Sequence, residues 1–390
     1  MTTIAPARLV QRRVMTVLVA AQVLSGAGLA AGVTVGALLA QDMLGSTSLA
    51  GLASAVATIG SALAAGAVGR LSQARGRRPG LAAGYLAGAV GSAGVVIAAV
   101  VGSPALLLVA LFVYGAGMAT TLQARYAGAD LAAPERRARA VSTVLVATTL
   151  GAIVGPNLTA LTGDLGVPHL AAPFLLAGAA YALATVVLAV WLRPDPLLLA
   201  RDAAPPDVPG APLRVGVLAG GLVMVLTQLV MVAIMTMTPV HMHDHGHGTA
   251  ASGLVIAIHI GAMYLPSPLT GWLVDRHGPR AIAVAAGLTL LAAGVVAAGA
   301  PSVVSLAVAL ALLGLGWNFG LVAGTAIITD AVPLASRARI QGLVDVAIAM
   351  AGATGGMASG LVVAAAGYPF LAVGGGVLAL VIVPVVAAAR

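Results

Sequence analysis

The sequence predicts an all-α membrane protein with twelve transmembrane helices arranged as two six-helix half-bundles. Three observations support this fold class: the composition, the length of the apolar runs and the distribution of arginine. Of the 390 residues, 60% are hydrophobic and 8% are charged, and the mean hydropathy is +1.07. A soluble protein carries about 25% charged residues. Large soluble enzymes, disordered chains and nucleic-acid-binding proteins are therefore excluded, despite the net charge of +8.

Apolar runs long enough to cross a bilayer recur along the whole chain. A helix spanning about 30 Å needs about 20 apolar residues. The first run is longer than the core of about 7–15 residues in a signal peptide, so it is predicted to be a span. Two runs continue through one polar residue each, His259 and Asp345. The predicted spans are 14–40, 48–69, 79–101, 104–124, 140–163, 170–192, 215–240, 260–274, 281–299, 302–329, 346–366 and 370–389.

Arginine marks one face of this predicted bundle. The chain has no lysine, and its 19 basic residues fall at the termini, in alternate loops or just inside the same face. The opposite loops contain no arginine, and their ionisable residues are Asp42, Asp164 and Asp244 together with histidines. By the positive-inside rule both termini are cytoplasmic. We expect a multi-pass protein of the cell (plasma or inner) membrane.

A proline-rich connection, 193–213, divides the chain into an N-terminal six-helix bundle, 1–192, and a C-terminal one, 214–390. An internal repeat supports this division. Asp130, Arg137 and Arg139 of the first half recur 200 residues later as Asp330, Arg337 and Arg339.

A glycine- and arginine-rich segment follows the second span of each half. Residues 271–280 read Gly-Trp-Leu-Val-Asp-Arg-His-Gly-Pro-Arg, and the first copy, 69–78, lies 202 residues earlier. The second copy resembles the G-x-L-x-D-R-x-G-x-R loop signature of the major facilitator superfamily. The first copy departs from it at Gln73 and Ala74. The resemblance extends over the whole chain and implies the major facilitator fold, a transporter with a midplane cavity between two half-bundles.

The signature segment is predicted to act as a cytoplasmic gate. Its aspartate can face a helix N-terminus, and its arginine can pair across the half-bundle interface. We expect the gate at Asp275, Arg276 and Arg280, with Asp130 as a candidate partner. Because Gln73 is uncharged, the gate is expected to rest mainly on the second copy. The alternative is that Arg276 and Arg280 only anchor the topology.

Span five contains a helix-kink motif formed by Gly151, Gly155 and Pro156. It resembles the G-x-x-x-G-P element in the fifth helices of drug/proton antiporters of the superfamily. Glycines at this spacing allow close helix contact, and proline bends the helix by freeing a backbone carbonyl. Asn157 and the residues after it replace the glycine pair that usually follows. The motif favours export, and a plain packing kink is the alternative.

Ionisable residues within spans are candidates for proton coupling, because a charge at mid-bilayer costs about 2.5–3.5 kcal/mol. Asp345 is one, and its repeat counterpart is Leu145, so the shared architecture does not require it. It is predicted either to carry a proton or to pair with Arg339 or Arg125. Arg125 is expected to meet Asp345 when the cytoplasmic side closes, or to extend to the headgroups. His259 is either a proton relay or a neutral buried histidine with one hydrogen bond.

Uncharged polar side chains are predicted to line the substrate cavity: Gln22, Gln228, Trp317 and Asn318. The superfamily resemblance implies that their spans, the first, seventh and tenth, border the central pathway. The alternative is that these side chains satisfy neighbouring helices. A cavity with few charges favours an uncharged, amphipathic or cationic organic substrate over a sugar or a phosphate.

Four histidines, His241, His243, His245 and His247, alternate along the predicted outer loop between spans seven and eight. If the segment is extended, this spacing puts all four imidazoles on one face. Histidines with an aspartate bind zinc, nickel or copper. Three interpretations remain open: a solvated loop, a pH-responsive outer gate and a site for a divalent metal.

The leading hypothesis is a proton-coupled exporter of small organic compounds that works by alternating access. The expected partners are a small-molecule substrate, protons and the lipid bilayer, with the chain acting as a monomer and without nucleic acid. The alternatives are a proton-coupled symporter and a divalent-metal exporter that uses the histidine loop. A membrane enzyme is disfavoured, because the sequence has no nucleophile motif, no Walker glycines and only one histidine box. No cofactor is expected beyond a divalent metal at that loop, since the chain also lacks cysteine.

Overall fold

The computed structural model describes residues 4–44, 47–159, 167–204 and 213–389. Asp164 lies outside these ranges. Within them the chain forms helices and turns without any strand, which confirms the all-α fold class. The helices are α1 (Ile4–Leu44), α2 (Thr47–Arg75), α3 (Arg77–Val101), α4 (Pro104–Ala129), α5 (Arg137–Thr159), α6 (Ala172–Trp191), α7 (Pro196–Ala203), α8 (Leu213–Asp244), α9 (Thr249–Tyr264), α10 (Ser267–His277), α11 (Pro279–Ala298), α12 (Val303–Ala331), α13 (Arg337–Ala379) and α14 (Ile382–Ala388).

Over the described residues, the predicted spans fall mainly on helices. Among the described residues, nine stretches are long and apolar enough to cross a membrane. The last of them, Arg337–Ala388, contains the eleventh predicted span and all but the last residue of the twelfth. The helix is interrupted between these two spans at a non-helical residue, Gly367. The first and fifth predicted spans lie in α1 and α5.

The eighth predicted span is broken into α9 and α10, which the apolar run does not indicate. Pro266 stands at the break and lacks the N–H that would continue the helix. The fully buried Asn318 of α12 donates its amide to the Met263 carbonyl and to the Ser267 hydroxyl, each at 2.7 Å. A break within a span is tolerated where neighbouring side chains satisfy the freed backbone groups. Asn318 therefore holds the two sides of the break together.

The predicted linker, 193–213, begins with the short helix α7. Asp195 caps this helix by accepting hydrogen bonds from its first backbone N–H groups. The same carboxylate accepts a hydrogen bond from the Arg78 backbone N–H at 2.7 Å. The start of the linker is thereby attached to the turn between α2 and α3, while residues 205–212 lie outside the described ranges.

The internal repeat is visible in the helix packing. In the first half α4 contacts α1, α2 and α3, and α6 contacts α1 and α3. In the second half α12 contacts α8, α9 and α11, and α14 contacts α8 and α11. These contacts correspond one to one when α8, α9, α11, α12 and α14 are matched with α1, α2, α3, α4 and α6.

The chain divides into two compact units, and each includes the start of one helix from the other sequence half. The first unit contains the start of α13, and the second contains the start of α5. The division of the sequence into 1–192, 193–213 and 214–390 stays a prediction. The units are Met1–Ala133, Thr143–Asp207 and Pro333–Ala349, and Pro134–Ser142, Val208–Val332 and Met350–Arg390.

Candidate gating and coupling site

The two signature segments form the same turn. Gly76 separates α2 from α3 with a φ of 99°, and Gly278 separates α10 from α11 with a φ of 85°. Both values lie in the left-handed region, where a side chain is strained and glycine is not. The repeat inferred from sequence therefore holds at the level of the backbone.

A close helix crossing accompanies each turn. In the first unit a Cβ on Gly69 of α2 would lie only 2.8 Å from the Cα of Gly342 in α13. In the second unit a Cβ on Gly271 of α10 would lie 2.6 Å from the Ser142 hydroxyl of α5. The first glycine of each signature is required because the helices approach backbone to backbone.

Asp275 lies at the N-terminus of α5, as the helix-dipole argument predicts. Its carboxylate accepts hydrogen bonds from the backbone N–H groups of Ala138 and Arg139, at 3.0 and 3.2 Å. The Arg139 Nε donates to the same carboxylate at 3.0 Å. Asp275 therefore caps the helix and forms an ion pair with it.

Gln73 occupies the equivalent position at the N-terminus of α13. Its Oε1 accepts hydrogen bonds from the backbone N–H groups of Ala338 and Arg339, at 2.8 and 3.3 Å. Its Nε2 donates to the carbonyls of Leu334 and Ala335, at 3.3 and 2.7 Å. We expected the contact between the signature segment and a helix N-terminus to rest mainly on the second copy. In the structure both copies make it, each with two backbone N–H groups. A carboxamide caps a helix as a carboxylate does, and it adds two donors.

Replacing Gln73 with Ala is expected to weaken the contact between α2 and α13 by about 1–2 kcal/mol, because a helix cap is lost. Gln73→Asp keeps the two acceptor bonds and adds a favourable charge at the helix N-terminus, so it should lose much less. Thermal unfolding of the purified variants in detergent measures the difference. Equal losses in the two variants would show that the capping contact does not stabilise the protein.

The other predicted gate residues have different partners from those expected. Arg276 is exposed, and its guanidinium lies 5.3 Å from the ring centroid of Trp272 on its own helix. Arg280 donates to a backbone carbonyl near the C-terminus at 2.5 Å. Asp130, proposed as a partner of this group, instead accepts two hydrogen bonds from Arg77, at 2.7 and 3.3 Å.

Arg77 is a buried link between α3, α4 and α13. Only 1% of the residue is exposed, and its Nη2 donates to the Gln341 Oε1 at 2.6 Å in addition to its bonds with Asp130. Arg77 is not among the residues predicted from the sequence. The signal was available, because Arg77 stands inside the first signature copy and Gln341 lies four residues before Asp345, on the same helix face.

Arg125 and Asp345 form a buried ion pair between α4 and α13. The Arg125 Nη2 lies 2.7 Å from the Asp345 Oδ1, and the two side chains are 0% and 3% exposed. Tyr126 joins them, since its hydroxyl accepts from the Arg125 Nη2 at 2.8 Å and donates to the Asp345 Oδ1 at 3.2 Å. The second carboxylate oxygen, Oδ2, is buried and has no hydrogen-bond partner among the described residues. The structure thus brings together two of the three residues predicted for proton coupling.

The third, His259, lies elsewhere, between α9 and α12. It is fully buried, and its Nδ1 is 2.9 Å from the Leu310 carbonyl, to which it must donate. Its Nε2 has no partner within the part of the chain that the structure describes. The single hydrogen bond agrees with the second of the two interpretations, and a role of His259 in proton relay stays a prediction.

Two of the four predicted cavity residues have their polar atoms bonded within the helix bundle. Gln22 donates to the Thr121 carbonyl and the Thr148 hydroxyl and accepts from Tyr85 and Ser25. All its hydrogen-bonding positions are thereby filled, three by α3, α4 and α5 and one by Ser25 of its own helix. Asn318 is occupied at the break between α9 and α10. The remaining two bond each other, since the Trp317 indole Nε1–H donates to the Gln228 Oε1 at 2.7 Å.

The kink motif of span five lies in α5. A Cβ on Gly151 would collide with the Val23 carbonyl, so the backbones of α5 and α1 meet there. The helix continues past Gly155 and Pro156 to Thr159, and the surroundings of those two side chains lie outside the described set. Gly151 therefore has the close-contact role predicted for it.

The histidine segment is helical up to Asp244 rather than extended, which corrects the predicted single face of four imidazoles. His241 stacks on Tyr368 with ring centroids 4.4 Å apart, and the ring centroid of His245 lies 4.2 Å from that of His241. His243 and His247 are outside this stack. Across the described residues, no three metal-ligating side chains gather to hold an ion.

Comparison with known proteins decides the family. The family model described as Major Facilitator Superfamily matches residues 18–265 and 220–390. The chain belongs to the major facilitator superfamily. It is therefore a multi-pass secondary transporter of small molecules and not an enzyme.

Relatives within the superfamily agree with this assignment. The chain is 55% identical to "Uncharacterized MFS-type transporter YdeG" of Bacillus subtilis (strain 168), over 97% of this chain and 92% of that protein. It is 32% identical to "Riboflavin transporter RfnT" of Brucella anthropi, over 86% of this chain and 85% of that protein. The crystal structure of the human organic anion transporter MFSD10 (TETRAN) has the same fold, with a TM-score of 0.78 at 19% identity, covering 96% and 99% of the two chains.

Proposed function

We propose that this transporter is a proton-coupled exporter of small organic compounds and that Asp345 carries the coupled proton. The observation that carries the proposal is the buried Arg125–Asp345 pair with its unpartnered carboxylate oxygen. A buried ion pair is stable only while both groups are charged. When one of them is neutralised, the other is left as an uncompensated buried charge, which is costly.

Protonation of Asp345 removes one of those charges. A proton on Oδ2 neutralises the carboxyl group, so the attraction that holds Arg125 to Asp345 is lost. Since Arg125 belongs to α4 and Asp345 to α13, proton binding would release the start of α13 from the N-terminal helices. Release and re-formation of this contact is the conformational step that alternating access requires.

The asymmetry of the repeat supports a coupling role rather than an architectural one. The repeat counterparts of Arg125 and Asp345 are Thr325 and Leu145, neither of which is ionisable. At the equivalent position of α5 and α12 these two residues therefore cannot form an ion pair, and the pair that joins the same helices, Arg137 with Asp330, is partly exposed. A buried charge pair found in one half only is more readily explained by function than by stability.

The sequence supports the proposed direction of transport and the proposed orientation of the termini. We place the arginine-rich loops and both termini in the cytoplasm by the positive-inside rule. The kink motif of α5 favours export, although a symporter could use the same ion pair. The relative named as a riboflavin transporter favours an organic cargo. A divalent-metal exporter is the weaker candidate, because the described histidines do not converge on one point.

Inverted membrane vesicles test the coupling directly. With an imposed pH gradient, acid inside, they should accumulate ethidium or riboflavin only when the chain is present, and a protonophore should abolish the accumulation. Accumulation that persists after the gradient has been dissipated would contradict proton coupling. Accumulation only in right-side-out vesicles would favour a symporter.

A further inference from the structure

The short linker helix α7 joins the two sides of the contact between α2 and α13. Arg201 of α7 donates from Nη2 to the Gln73 carbonyl at 2.8 Å and from Nε to the Leu334 carbonyl at 3.2 Å. The first carbonyl lies near the end of α2, and the second lies in the turn before α13. All three residues belong to the first compact unit. One guanidinium therefore connects a helix of the first sequence half to a turn of the second.

The end of α2 is a favourable place for a positive charge. The last carbonyls of a helix have no partner within it, and the helix dipole makes that end negative. Gln73 lies in the last turn of α2, which ends at Arg75. The Leu334 carbonyl also accepts a hydrogen bond from the Gln73 Nε2 at 3.3 Å. The side chains of Gln73 and Arg201 therefore converge on one acceptor of the turn before α13.

The N-terminus of α7 is attached to the first half of the chain. The Asp195 Oδ1 accepts from the backbone N–H groups of Leu197 and Leu198, and its Oδ2 accepts from that of Arg78. Leu197 is fully buried, and α7 contacts α4. Arg201 lies about 9 Å farther along the chain, at 1.5 Å per helical residue. The helix is thus fixed at Asp195, and its other end reaches the turn before α13.

The two signature copies obtain a positive charge from different residues. Asp275 of the second copy forms an ion pair with Arg139 at the start of α5. Gln73 stands at the position of that aspartate and cannot form an ion pair with Arg339, the repeat counterpart of Arg139. Arg201 brings a guanidinium to the first copy from outside the signature.

We propose that Arg201 is a positioning residue for transport and that α7 stabilises the state in which α2 contacts the start of α13. Alternating access requires contacts between the two sequence halves to form and break in each cycle. A guanidinium that bonds both sides acts only in the joined state, so it shifts the equilibrium towards that state. The proposal goes beyond the proposed function, because it concerns this equilibrium and neither the coupled ion nor the cargo.

Hydrogen–deuterium exchange of the purified full-length chain, read by mass spectrometry, tests the proposal. The backbone N–H groups of Ala338 and Arg339 donate to the Gln73 Oε1, so their exchange reports how often the contact opens. Arg201→Gln should accelerate exchange at the start of α13 about 5- to 20-fold, as expected for the loss of two hydrogen bonds from a half-buried donor. The equivalent segment at the start of α5, which Asp275 caps, should exchange as in the parent.

A second substitution separates positioning from general stability. Gln73→Asp in the Arg201→Gln background recreates the arrangement of the second copy, because an aspartate at that position can pair with Arg339. Exchange at the start of α13 should therefore return towards the parent rate. Arg193→Gln changes an exposed arginine at the start of the same linker. It is the matched control and should leave exchange unchanged.

Asp195→Ala gives an independent check, because it detaches α7 from the Arg78 N–H. It should also accelerate exchange at the start of α13 more than at the start of α5. Parent-like exchange in both the Arg201 and the Asp195 variants would overturn the proposal, as would equal acceleration of the two segments or no rescue by Gln73→Asp. These measurements need neither a substrate nor a proton gradient, so their outcome is independent of the proposed function.

Discussion

Replacing Asp345 with Asn is expected to abolish proton-driven transport while leaving the protein in the membrane. Asparagine cannot take up and release a proton, and it cannot pair with the Arg125 guanidinium, which is 0% exposed. Removal of one partner of a buried ion pair typically costs about 3–5 kcal/mol, because the other charge is left uncompensated. Substrate-dependent proton movement in proteoliposomes, read from a pH-sensitive dye, measures the loss.

The matched control for this variant is Asp330→Asn. Asp330 also pairs with an arginine, Arg137, at 2.6 Å, but the two side chains are 52% and 24% exposed. Surface ion pairs contribute about 0–1 kcal/mol, so this variant should transport and unfold almost like the parent. If Asp345→Asn kept substrate-dependent proton movement, Asp345 would not be the coupling residue.

A double variant separates coupling from stability. In Arg125→Met, Asp345→Leu the buried charges are replaced together by apolar side chains, which is often neutral or stabilising. Thermal stability should therefore return, whereas proton-dependent transport should stay absent. Recovery of proton-dependent transport in the double variant would show that the pair has only a structural role.

Gly342→Val is expected to reduce transport at least tenfold by preventing the crossing of α2 and α13. A Cβ at this position would lie 2.8 Å from both the Ala65 carbonyl oxygen and the Gly69 Cα, which are backbone atoms that cannot rotate away. Overpacking of this kind costs about 1–3 kcal/mol. The displacement would also separate Gln341 and Asp345 from their arginine partners. Transport rates in vesicles, compared at equal protein content, measure the effect.

Gly360→Val provides the control on the same helix, since nothing lies within 4 Å of a Cβ there. It should transport normally. Parent-like transport by Gly342→Val would mean that the crossing of α2 and α13 does not take part in the transport cycle.

The sequence was sufficient for the fold, because the signals that determine it are local. Span length, arginine-bearing loops and turn glycines such as Gly76 and Gly278 each depend on a few neighbouring residues. The position of Asp275 at a helix N-terminus was also predictable, since the signature implies its role. Predictions that needed a partner had mixed outcomes: Arg125 meets Asp345 as expected, but three others differ. Asp130 binds Arg77, Arg276 lies over its own helix, and Gln22 is satisfied within the bundle.

The sequence by itself determined that this chain is a polytopic transporter of the major facilitator superfamily with a repeated architecture and few intramembrane charges. The sequence left Arg339 and Arg125 open as partners of Asp345, and only the tertiary structure decided that the partner is Arg125. Arg125 and Asp345 are 220 residues apart in the chain, and their contact depends on how α4 and α13 are rotated about their axes. Such rotations are set by many small packing contacts, including glycine crossings such as Gly69 with Gly342. No short segment of sequence encodes them.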